Sequence, residues 1–137
     1  MSLGNTTETE LLEYLFNAVA PAWAGNGSFY LSLHTGDPGE AGVQTTSECA
    51  YTSYARVAVV RTAGGWTVAG NQSSNTALVQ FPQCTGGSET ATHIAIGTVV
   101  SPGAGQIISS GALNASLSIS NGIQPQFSAA ALAQTLD

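Results

Sequence analysis

Residues 28–42, Ser-Phe-Tyr-Leu-Ser-Leu-His-Thr-Gly-Asp-Pro-Gly-Glu-Ala-Gly, carry an alternating strand straight into a tight turn and are the most informative stretch of the chain. Successive side chains of a strand project to opposite faces, so Phe29, Leu31 and Leu33 point one way and Tyr30, Ser32 and His34 the other. The first face reads as core and the second as polar. At Asp37-Pro38-Gly39-Glu40 the proline ring presets the dihedral of the second turn position, and Gly39 supplies the positive φ that a type II turn requires next. The strand ends there. The same alternation is cleanest over residues 113–120, where Leu113, Ala115, Leu117 and Ile119 oppose Asn114, Ser116, Ser118 and Ser120. That segment is a half-buried strand with an uncharged outer face.

The β signature continues through the rest of the body. Residues 54–61 are apolar on both faces around Val57, Val59 and Val60, as expected of a central strand covered on two sides. Ala63-Gly64-Gly65 turns the chain, Trp66 and Val68 face together, and Gly70-Asn71 turns it again. A strand over 78–81 stops at Pro82, and residues 90–100 place Ile94 and Ile96 opposite His93, Ala95 and Gly97. Another strand should follow the Ser101-Pro102-Gly103 turn. Asn121-Gly122 is the favoured dipeptide of two-residue hairpins, which predicts that residues 123–127 pair back on 113–120. The Ala-rich segment 128–137 reads as strand in its first half.

A single helix is expected at residues 7–19. Thr7 followed by Glu10 matches a capping box, Glu8 and Glu10 lie in the first turn where the helix dipole favours them, and Pro21 limits extension. Leu11, Leu12, Leu15, Phe16 and Val19 make one stripe at helical spacing. The stripe is expected to cover an open end of the β core; the functional alternative is a subunit contact through Leu11, Leu15, Phe16 and Val19. Residues 1–6 read as a loose end or an arm that orders on a neighbour. Trp23 should plug the junction between helix and first strand. Residues 36–49 are polar and lack periodicity, so they are expected to form an exposed loop, with Asp37, Glu40 and Glu48 as its contact residues.

Together these signals predict an all-β fold, a jelly-roll-like antiparallel β-sandwich with one N-terminal α-helix. One domain is expected over 1–137, comprising an arm at 1–6, a helix at 7–20 and a β-rich body at 28–137. No internal repeat is present, which disfavours a fibrous β-helix shaft.

Charge narrows the function classes. Charged residues make up 7% of the chain, against roughly 25% in an average soluble domain, and lysine is absent. Solubility therefore rests on Ser, Thr, Asn and Gln, whose hydroxyls and amides are cheaper to bury against another protein than charges are. The net charge of −6 argues against non-specific nucleic-acid binding. Arg56 and Arg61, the two basic residues, are read as opposite faces of one strand and so form no stripe. No basic signal sequence opens the chain and no run is long enough to span a membrane, so synthesis in the cytoplasm is expected. The sequons at Asn5, Asn26, Asn71 and Asn114 arise by chance in a chain this rich in Ser and Thr.

Catalytic and metal chemistry find little support. His34 and Asp37, joined by His93 or Glu48, are the right types for zinc, but no His-x-His or Cys-x-x-Cys pair fixes two ligands at once. No metal or other cofactor is expected. There is no Gly-x-Ser-x-Gly elbow, no paired-carboxylate signal, and no lysine or helix start after Gly64-Gly65 or Gly86-Gly87 to hold a phosphate. Cys49 and Cys84 lie next to strand ends. They form either a disulfide, which would add on the order of 4 kcal/mol in the chain-entropy model, or a pair of free buried thiols.

The run Tyr-Leu-Ser-Leu-His-Thr-Gly-Asp-Pro-Gly-Glu-Ala-Gly, followed by Glu48, Tyr54-Ala55-Arg56, Phe81-Pro82, the strand at 93–97 and a closing Gly-Ala-Leu, resembles a family of small tailed-bacteriophage structural proteins. Its members are often labelled phage tail fibre or minor structural proteins, and the resemblance covers nearly the whole chain after the helix. It implies a β-rich virion component without enzymatic activity. On that footing the chain is expected to be a capsid decoration or cement subunit on the outside of the phage head, a homotrimer bound to the major capsid protein. The alternative is a receptor-binding module associated with tail or fibre proteins. A third reading is a carbohydrate-binding domain in which Tyr30, Tyr51, Tyr54 or Trp66 stacks on sugar rings.

Overall fold

A computed structural model describes residues 1–136. Its backbone is a five-stranded antiparallel sheet in the order β1 (Ser2–Leu3), β8 (Ile107–Ser120), β7 (Ser88–Gly97), β2 (Ser28–His34), β3 (Val57–Val60). A second sheet joins β10 (Ala133–Thr135), β5 (Gln72–Asn75) and β4 (Trp66–Ala69), and β6 (Val79–Gln80) pairs with β9 (Gln126–Phe127). The expected all-β sandwich with one N-terminal helix is the observed architecture. Leu31, Leu33, Ile94, Ile96 and Ile119 project from the large sheet into a core completed by Val79, Phe81 and Leu132. Aromatic rings knit this core together: Tyr54 stacks on Phe81 at 6.3 Å, and Phe81 meets Phe127 edge-on at 6.1 Å. Phe81 is fully enclosed, a burial that contributes about 2–3 kcal/mol.

The polar face of β2 is not solvated. Ser32 and His34 are as completely enclosed as Leu31 and Leu33, because residues 36–49 fold back over the sheet, covering it with one side while Asp37, Glu40, Thr45 and Ser47 stay exposed on the other. Gly39 takes φ +72° at the expected turn, and Asp37 Oδ1 accepts the Gly39 N–H at 2.9 Å. Returning from that turn, the chain forms bridges from Val43 to Gln106 and from Glu48 to His34. Between them Gln44 is driven into the protein. Its Nε2 donates to the Tyr30 carbonyl at 3.1 Å and its Oε1 accepts the Val99 N–H at 3.0 Å. Gly97 and Gly105 leave the space that this side chain fills.

Other expectations are corrected. The strand expected at 54–61 shrinks to β3, which is an edge rather than a central strand, with Val60 half exposed. Arg56 precedes it and Arg61 follows it, so the two do not share a strand. Residues 123–127 do not pair back on β8. Gly122, at φ +92°, sends the chain along 79–84, where Cys84 N–H bonds to the Ile123 carbonyl and Phe81 N–H to the Pro125 carbonyl. The C-terminal strand occupies the second half of its segment, after the buried Leu132; residue 137 lies outside the described residues.

The helix, α1 (Asn5–Asn17), starts before Thr7, with Gly4 at the cap position. Thr7 and Glu10 therefore form a tether rather than a capping box. Thr7 Oγ1 donates to the Ile107 carbonyl at 3.1 Å, while Glu10 accepts from Trp23 Nε1 at 2.6 Å and from Gln106 Nε2 at 2.7 Å. Asn5 N–H is met by the Glu40 carbonyl at 2.9 Å. The arm is not loose either: β1 pairs with β8 of its own chain, and Ser2 Oγ bonds to the Glu40 carboxylate.

A methyl group at Gly97 would run into the Gln44 amide, which is held at both ends. Gly97→Ala is expected to cost about 1–3 kcal/mol, as overpacking does, and much less in a Gln44→Ala background. Urea midpoints of the two single variants and the double variant measure the coupling, and strict additivity would contradict it.

Candidate functional site

The covering loop is locked by a buried ion pair. Arg56 grips Glu48 with two parallel bonds, Nε to Oε1 and Nη2 to Oε2, each 2.7 Å. Its remaining donors reach the Val99 carbonyl at 3.0 Å and the Gly103 carbonyl at 2.7 Å, so one guanidinium joins the 36–49 loop to the segment between β7 and β8. Tyr54 extends the network, donating its hydroxyl to Glu48 Oε1 at 2.8 Å and accepting the Leu33 N–H at 3.1 Å. Burial, reinforced by the Glu48 charge, raises the Tyr54 pKa far above its ordinary value, so the hydroxyl keeps the proton it donates. Glu48, expected on the outside, is thus turned inward, whereas Asp37 and Glu40 stay exposed.

Buried His34 belongs to the same layer. The Thr46 carbonyl, 2.8 Å from Nδ1, can only accept, so Nδ1 carries the proton and Nε2 accepts from Ser32 Oγ at 2.9 Å. Desolvation holds its pKa below the ordinary 6.5, with the Thr46 carbonyl and Glu48 opposing that shift in part. His34 faces His93 across the β2–β7 ladder, yet among the described residues no three of His, Cys, Asp and Glu gather as metal ligands. Cys49 and Cys84 are free thiols enclosed in the core. Burial first, then the Glu89 and Glu48 charges, pushes the Cys49 thiol up to about 12.

The helix presents a different surface. Its tether at Thr7 and Glu10 holds one face on β8 and leaves the apolar stripe outside: Leu12, Leu15 and Phe16 are 58%, 70% and 79% exposed, and Val19, expected in the helix but lying past its left-handed cap at Ala18, is 52% exposed. Leu11 is half buried. The expectation that the stripe covers the end of the core is overturned, because that position is taken by polar bonds between the helix and Gln106, Ile107 and Trp23. Trp23 does plug the junction, packing edge-on against Phe29 at 5.9 Å.

A second feature had no clear signal in the sequence. Phe29, Ile96 and Ile108 of the large sheet face Trp66, Val68 and Gln134 of the small one across a cleft of about 580 Å³ with largely apolar walls. Two polar atoms there are buried without a partner among the described residues, the Trp66 Nε1 donor and the Gln134 Oε1 acceptor. Arg61 closes one end. Its guanidinium lies 4.5 Å from the Phe29 ring centre and 5.4 Å from that of Trp23, and Nη1 donates to the Trp23, Ala24 and Asn26 carbonyls. Of the rings considered for sugar stacking, Tyr51 is buried and Tyr54 packs against the core, so neither forms an exposed platform.

The sequence model of the family described as Podophage GP4 fiber I protein gp80 matches residues 2–135. No curated protein matches the chain.

Glu48→Gln would leave Arg56 buried without its counter-charge and is expected to cost about 3 kcal/mol, read as a lowered urea midpoint. An unchanged midpoint would show that the pair does not hold the loop. The folded pKa of His34 lies below the unfolded value, so the unfolded chain binds the proton first and stability falls as pH drops through 6.5. The slope is at most ~1.4 kcal/mol per pH unit and levels off below the folded pKa. Midpoints measured across this window should fall more steeply for the parent protein than for His34→Gln, and equal slopes would contradict the assignment.

Proposed function

The chain belongs to the Podophage GP4 fiber I protein gp80 family, and on that premise we propose that it is a non-enzymatic structural subunit of the virion, assembled into a fibre through the apolar face of α1. Membership in a phage fibre family implies a virion component. The observation that carries the assembly reading is the stripe at Leu12, Leu15, Phe16 and Val19, which the chain exposes although its own core is complete without it. Soluble monomers seldom leave so continuous an apolar surface uncovered. Charge offers little alternative for adhesion, since Arg56 is spent inside and Arg61 is engaged with backbone carbonyls. The neighbour is a second copy of the chain, and a closed homotrimer is the symmetric form that suits a fibre.

The same surface serves a second reading, a cement subunit clamped to the major capsid protein on the head exterior. A body without sequence repeats, folded as a sandwich rather than a shaft, favours that alternative. Copy number per particle separates the two. Quantitative mass spectrometry of dissociated virions is expected to give a small number of chains relative to the major capsid protein. Near-equal stoichiometry would overturn the fibre reading in favour of the cement one, and absence from purified particles would overturn both.

A further inference from the structure

We propose that the inter-sheet cleft is the acceptor site for α1 of a second copy of this chain, so that copies join helix into cleft. The inference rests on the reading of α1 as a subunit contact and deepens it by naming the surface that receives it. One molecule carries two unmatched apolar features, an exposed helix stripe and an open cleft, and no residue of α1 lines the cleft of its own chain. At about 580 Å³ the cleft lies within the roughly 300–1,000 Å³ typical of ligand sites, enough for several large side chains. Its rim at Thr62 and Val68 is exposed, which gives a helix access from the side.

Charge sign selects the occupant. Arg61, at the end of the cleft, is the one guanidinium that faces no carboxylate among the described residues. On α1, exposed Glu8 precedes Leu12 by four residues and lies on the same face as the stripe. A helix laid into the cleft thus brings a carboxylate toward the Arg61 guanidinium, whose bonds to neutral carbonyls leave its charge uncompensated, while Leu12, Leu15 and Phe16 enter the apolar space. This contact uses different surfaces on the two copies. Each acceptor still offers its own helix, so the arrangement closes into a ring when the rotation allows or extends as a filament.

The test uses the full chain in two single variants, Leu15→Cys and Val68→Cys, at positions 70% and 73% exposed, with the native cysteines enclosed in the core. The two are co-expressed and treated with a short bis-maleimide, and linked peptides are identified by mass spectrometry. Links between residue 15 of one copy and residue 68 of another are expected in the mixture, with little product from either variant alone. Links confined to Leu15→Cys pairs would show helix against helix and overturn the cleft while leaving self-assembly intact. Phe16→Asp supplies the second measurement and should weaken self-association roughly tenfold or more by sedimentation, with an unchanged circular dichroism spectrum. A parent chain that sediments as a monomer at high concentration overturns the proposal, whereas virion copy number judges the structural role separately.

Discussion

The bond between Glu48 and Arg56 is the constraint on which much of the fold depends. Taking a guanidinium out of water is costly, and the cost is offset because it donates four bonds, two to the Glu48 carboxylate and two to the Val99 and Gly103 carbonyls, while the Arg56 backbone N–H donates to Ser101 Oγ. Those partners come from two separate loops. Forming the site therefore requires both to be in place, and once formed it holds them over the face of the sheet that would otherwise meet water.

That cover changes what the large sheet is. With residues 36–49 on one side and the small sheet on the other, β2 is enclosed on both faces, and polar groups such as His34, Ser32 and Gln44 must find partners inside. They do so in pairs that leave little freedom: Gln44 spans from Tyr30 to Val99, and His34 is fixed between Ser32 and Thr46. The same economy applies to the helix. Thr7 and Glu10 dock it by hydrogen bonds, and polar docking leaves the apolar stripe unused.

A protein with 7% charged residues presents a surface made mostly of uncharged groups. Of its two cations one is buried and the other is stacked on aromatic rings at the end of the cleft. The exposed stripe and the cleft are two apolar surfaces that the described residues leave uncovered. The family to which the chain belongs makes it a virion component.

Sequence by itself determined the local conformations. Period-two alternation marked β2 and the far half of β8, the Asp-Pro-Gly turn stopped the strand, and helical spacing located α1, because each depends on residues only a few positions apart. The resemblance carried by these motifs also agreed with the family to which the chain belongs. Partners distant in the chain were decided by tertiary structure alone. Residues 123–127 had a hairpin signal toward β8, yet 79–84 offered them backbone partners that local spacing does not reveal. Glu48 looked like a loop charge until Arg56 was brought beside it, and the helix stripe looked like core until Gln106 and Ile107 took the docking face. The cleft had no sequence signature, since it is the gap left between two sheets whose facing residues are far apart in the chain.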